Sequence, residues 1–230
     1  MSASAISLNR AASFYDAQVG QKAVVAVTGI ILFGFVLVHM IGNMQVYLPP
    51  GPDGTYAIDH YGELLHSKPA LLWVARLVLL GCVLLHVTFS VLLWFASKAA
   101  LPVGYRKKDN SNSSYASRTM ILSGPIIAAF VVYHLLHFTT GQAHPDFKFL
   151  SVRHNVITGF QQPLASGFYI LANILLAIHL SHGLWSMFQS LGINHPRYNA
   201  LVKNFAALFS TVIAVGNVSI PVAVMAGLIK

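Results

Sequence analysis

Apolar residues in this chain fall in long unbroken runs, not in the alternation of a strand or the single stripe of a soluble helix. Five runs are legible, at about 22–48, 70–97, 119–141, 164–191 and 204–229. As a helix rising about 1.5 Å per residue, each is long enough to cross the roughly 30 Å hydrocarbon core of a bilayer. The fourth run is the clearest: from Leu164 to Leu191 there is no Asp, Glu, Lys or Arg. Breaker and polar segments separate the runs. Pro49, Pro50, Pro52 and Gly54 end the first, and a loop rich in Ser and Asn fills 98–118. His144, Pro145 and Asp146 open the next connection, and Asn194 to Arg197 open the last. Residues 1–21 lack the compact apolar core and cleavage site of a signal peptide and read as an amphipathic lead-in helix. No repeat of the kind that marks inverted transporter halves is visible. The pattern predicts an all-α membrane protein, one domain over 1–230 with five transmembrane helices.

Charge sharpens this. Only 9% of residues are charged, against about 25% in soluble domains. The net charge of +8 would suit nucleic acid, but the basic residues sit at the ends of the runs, where they set topology instead. Arg10, Lys22, Lys98, Arg106, Lys107, Lys108, Arg118, Arg197 and Lys203 fall on one side, and Lys68, Arg76, Lys148, Arg153 and Lys230 on the other. By the positive-inside rule the N-terminus is cytoplasmic and the C-terminus outside. The six acidic residues, Asp16, Asp53, Asp59, Glu63, Asp109 and Asp146, all lie outside the runs. That argues against a pump or cation transporter built on buried carboxylates. With Cys82 as the one cysteine, the chain can hold no internal disulfide, no iron–sulfur cluster of its own and no C-x-x-C-H haem attachment.

The remaining chemistry is histidine. His39, His86, His134, His137, His179 and His182 lie within the first four runs, and the fifth has none. An imidazole in lipid is costly unless paired, and it is also a common metal ligand. Counting from the cytoplasmic ends, His39 lies 17 residues past Lys22 and His134 15 past Thr119, which is about 25 and 22 Å deep. His86 lies 11 before Ser97 and His179 12 before Leu191, which is about 16 and 18 Å. The depths sort into an outer pair, His39 with His134, and an inner pair, His86 with His179. Two stacked haems, each with axial ligands from two helices, would fit a bundle formed by the first four spans. Gly34, Gly42 and Gly183 near these histidines would let a flat macrocycle or a neighbouring helix approach.

Two stretches carry a family resemblance. The run from Gly20 to Met44, with Lys22, Thr28, Gly29, His39, Gly42 and Asn43, resembles the first span of the single-chain cytochrome b anchor of succinate dehydrogenase and fumarate reductase. The run from His179 to Gly192, with Gly183, Leu184, Trp185 and Ser186, is similar to that family's fourth span. The five-span layout and histidine order agree along nearly the whole chain. Gln21, Lys22 and Ala23 stand where many relatives have a His-Ser pair. The resemblance implies two b haems, with His39 and His134 ligating one and His86 and His179 the other, and with Gly42 and Gly183 beside them. His137 and His182, three residues beyond ligand positions, stay open as alternatives.

The implied function is a membrane anchor in the inner membrane of a prokaryote, passing electrons between quinone (menaquinone or ubiquinone) and an iron–sulfur subunit that carries a flavoprotein subunit. The chain itself has no dinucleotide fingerprint and no cysteine cluster, so dicarboxylate chemistry would belong to those cytoplasmic partners. Arg106 to Lys108 and Arg118 suit their docking. A quinone needs an apolar slot with polar partners. His60, Tyr61, Glu63 and His66 before the second run offer one place, and Arg10, Ser13 and Asp16 in the lead-in another. Two rivals remain: the haem b anchor of a hydrogenase or formate dehydrogenase, and a histidine-relay transporter without haem.

Overall fold

A computed structural model describes residues 17–100 and 115–230. The lead-in up to Asp16, with Arg10 and Ser13, lies outside the described residues, as do Arg106 to Lys108 and the side chain of Arg118. The described chain is helical, with one isolated bridge between Pro50 and Tyr56. In chain order the helices are α1 Gln18–Asn43, α2 Ala57–His66, α3 Pro69–Ala99, α4 Tyr115–Phe138, α5 Val152–Phe160, α6 Pro163–Ser190 and α7 Pro196–Met225. A 3-10 turn, Met44–Tyr47, extends α1 up to the prolines. Among the described residues, four stretches are long and apolar enough to cross a membrane: Gln18–Tyr47, α3, α6 and α7. Helix α4 spans 24 residues, and Leu122–Phe138 is its apolar part among the described residues. The chain is thus an all-α, multi-pass membrane protein.

Three long helices start with proline, at Pro69, Pro163 and Pro196, where the missing N–H costs nothing because the first turn has no acceptor for it. The last helix starts eight residues ahead of the fifth apolar run. His195 caps it by accepting from Arg197 N–H, and polar Arg197, Asn199 and Lys203 are helical ahead of the apolar part. Two short helices, α2 and α5, occupy segments that hydropathy reads as loops. Both are polar on one side, and Asp59 of α2 accepts from the backbone N–H of Arg153 in the first turn of α5. That bond joins the two helices.

Helices α6 and α7 pack along their length through small residues, Ala165, Ala172 and Asn173 on one and Ala206, Ser210 and Ala223 on the other. In lipid there is little hydrophobic force between helices, and small residues allow the close backbone approach that dispersion needs. The best-filled core lies where Val46, Ile58, Phe160, Tyr169, Ile220 and Val224 meet, tying α1, α2, α5, α6 and α7 together at one end of the bundle. Helix α1 packs against α3, α6 and α7, and α4 packs against α6. Among the described residues, α3 packs mainly against α1 and, at its start, α2, and neither α3 with α6 nor α1 with α4 forms a close seam.

Candidate functional site

The two histidine pairs lie across those loosely packed helix pairs. His39 on α1 and His134 on α4 have ring centroids 5.7 Å apart. His86 on α3 and His179 on α6 have theirs 6.4 Å apart. Metal–imidazole bonds of about 2.0–2.1 Å on opposite sides of one ion put the ring centres roughly 6 Å apart. Both separations are of the size a shared metal needs, and the imidazoles meet where the helices that carry them make few close backbone contacts. Among the described residues no group of three or more His, Cys, Asp or Glu could hold a metal ion, so the donors here come in twos.

Hydroxyls decide which nitrogen each ring offers. Thr28 Oγ1 donates to the carbonyl of Val24 at 2.7 Å, which leaves it an acceptor for His86 Nδ1 at 3.1 Å when that ring carries its proton on Nδ1. Ser123 Oγ likewise donates to the carbonyl of Met120 at 3.3 Å and lies 3.4 Å from His179 Nδ1. With the proton on Nδ1, the lone pair of a neutral ring is on Nε2, the arrangement that a hydrogen-bonded metal-ligating histidine uses. Nδ1 of His134 lies 3.2 Å from the hydroxyl of buried Tyr169. His39 is held by ring contacts, stacked on Phe35 at 5.3 Å and edge-on to His134.

His137 is placed differently. It is 1% exposed, with Gly159 of α5 against its Nε2 edge and the His144 ring 4.9 Å away. A Cβ at Gly159 would come within 3.0 Å of its Nε2, which has no hydrogen-bond partner. The α5 backbone therefore closes this nitrogen off from any larger group. His182 is half-buried one turn beyond His179 and is not part of either facing pair.

The glycines separate too. A Cβ at Gly183 would meet nothing within 4 Å, and the same holds at Gly34. One at Gly42 would come 2.8 Å from Cε1 of Tyr61, so Gly42 seats the Tyr61 ring. The His86 ring lies against α1 at Gly29, where a Cβ would make ordinary contact with it at 3.5 Å.

The quinone candidates on α2 divide. His60 reaches Asp53 at 3.0 Å through Nε2 and Glu63 at 3.5 Å through Nδ1, all three exposed. Tyr61 turns inward to Gly42, and His66 Nδ1 donates to the carbonyl of Gly62 at 2.8 Å beside Phe149. His60 and Glu63 share a surface with Asp53, and His60 lines an open cavity of about 570 Å³ with Leu48, Pro49, Pro52, Asp53 and Ala57. The Thr55 N–H and the His60 ring hold the Asp53 carboxyl below its usual range. At the neighbouring loop, His154 and then Lys148 do the same for Asp146.

No family model, curated protein or solved structure matches the chain.

Proposed function

We propose that the chain is a di-haem cytochrome b anchor, the membrane subunit of a succinate dehydrogenase or fumarate reductase, with α1, α3, α4 and α6 around the cofactors and α4 counted as the fifth span. The observation that carries the reading is the pair of cross-helix imidazole couples, His39 with His134 and His86 with His179, at metal-sharing separations across loosely packed helix pairs. Bound there, two b haems would supply one-electron carriage, for which side chains have no equivalent. The chain's own part would be to hold neutral imidazoles, His86, His179 and His134 by hydroxyls at Nδ1 and His39 by its aromatic neighbours, and to leave Nε2 for the iron. His60 and Glu63 would hold and release the protons that quinone reduction consumes. The partners are an iron–sulfur subunit and, on it, a flavoprotein, docked on the cytoplasmic face with the N-terminus.

The test is the absorption spectrum of the purified protein with a haem count. Two extractable, low-spin haems per chain are expected, together with two larger soluble partners carried through a mild-detergent purification. A colourless protein would favour the histidine-relay transporter. A stable complex with a molybdenum or nickel–iron subunit would favour the formate dehydrogenase or hydrogenase anchor.

A further inference from the structure

The Tyr169 hydroxyl sits between two imidazoles of α4, 3.2 Å from Nδ1 of His134 and 3.1 Å from Nδ1 of His137. A phenol has one proton to give and lone pairs with which to accept. Of the two rings, one therefore donates to Tyr169 and the other accepts from it. Neither is free to swing away. Tyr169 is 5% exposed and has Phe160 edge-on at 4.9 Å, while Gly159 and His144 confine His137.

We propose that Tyr169 is the positioning residue that holds His134 as an Nδ1–H donor with its Nε2 turned to haem iron, and that His137 serves by accepting the Tyr169 proton. This rests on the di-haem reading. A metal on Nε2 of a neutral ring leaves the proton on Nδ1, so His134 must be the donor of the two. The phenol proton is then left for His137 Nδ1. Each bond in such a chain polarises the next, and donation from Nδ1–H raises the basicity of the ligating nitrogen. A more basic ligand favours ferric iron and lowers the reduction potential of the haem it holds. His86 and His179 face Thr28 and Ser123 instead, hydroxyls whose other partners are carbonyls of their own helices and not a third ring. The two haems are thereby given ligands of unequal basicity.

The test is a redox titration of the purified complex with the haem count taken alongside. Two components are expected in the unmodified protein, and the one lost in His134→Ala is the reporter. Tyr169→Phe should raise the reporter's midpoint potential, leave the other component unmoved and weaken retention of the reporter haem by roughly 10–100-fold. If Tyr169→Phe loses that haem outright, His137→Leu and His137→Gln decide. Leucine should raise the reporter's potential, and glutamine, whose side-chain oxygen accepts the phenol proton, should restore it. Reporter potentials unchanged in Tyr169→Phe, or equal in the two His137 variants and the unmodified protein, would overturn the proposal. Absence of haem from the unmodified protein would instead overturn the di-haem reading beneath it.

Discussion

The Thr28 hydroxyl stands 3.1 Å from Nδ1 of His86, on a neighbouring helix and 58 positions away in sequence. With its hydroxyl donating to the Val24 carbonyl, the threonine is left an acceptor for a ring protonated on Nδ1. Thr28→Val keeps shape and removes the acceptor. Retention of the haem served by His86 and His179 should fall by roughly 10–100-fold, and Thr28→Ser should restore it. Haem retention in detergent against a competing haem acceptor such as apomyoglobin measures this. Equal retention in all three proteins would remove Thr28 from the site.

Ligand substitutions should separate the two layers. His86→Ala or His179→Ala is expected to remove one haem, and His39→Ala or His134→Ala the other, each leaving a count of one. His137→Ala and His182→Ala should keep both. Loss of a haem in His137→Ala with two retained in His134→Ala would reverse the assignment on α4.

Gly42 and Gly183 should answer differently to a methyl group. Gly42→Ala drives a Cβ into the Tyr61 ring and should cost about 1–3 kcal/mol as overpacking. Gly183→Ala meets no protein atom and should leave thermal stability within about 0.5 kcal/mol. Thermal unfolding of both variants in the same detergent is the measurement.

Glu63→Gln keeps the size of the side chain and removes its charge. Quinone-linked turnover should drop sharply, with both haems bound and succinate oxidation by a soluble dye unchanged. Undiminished quinone turnover would exclude an essential role for Glu63 and favour a site near Arg10, Ser13 and Asp16.

The loop at Asp146 should loosen in acid. Its carboxyl is held below the ordinary 3.8 by His154 and Lys148, so its stabilisation is complete above that value and is lost as pH falls through the lowered one. Asp146→Asn should remove the dependence. Protection factors across 139–151, corrected for the intrinsic pH dependence of amide exchange, should fall on acidification in the unmodified protein and stay level in the variant.

Long apolar runs were legible because hydropathy needs no partner: α3 and α6 fall within two residues of the runs that announced them. Helices α2 and α5 were not, since their helicity depends on a tertiary bond from Asp59 to Arg153 and on the core around Ile58 and Phe160. Depth along each span brought out the facing pairs. It was blind to their supports, because Thr28, Ser123 and Tyr169 meet their histidines across 58, 56 and 35 positions. His134 and His137 share a helical face by spacing. What tells them apart is Gly159, which closes over one of the two.

Helix α3 has one buried residue, Cys82, where α7 has seven. It is held from one flank, by α1 and by α2 at its start, while α1, α6 and α7 already grip one another. Assembly is thus ordered by geometry. The three mutually packed helices can set first, and on the di-haem proposal α3 would gain a second flank, among the described residues, from the group held between His86 and His179. Its resistance to a protease in detergent would then report how far maturation has gone, turning the least anchored helix into the natural checkpoint of biogenesis.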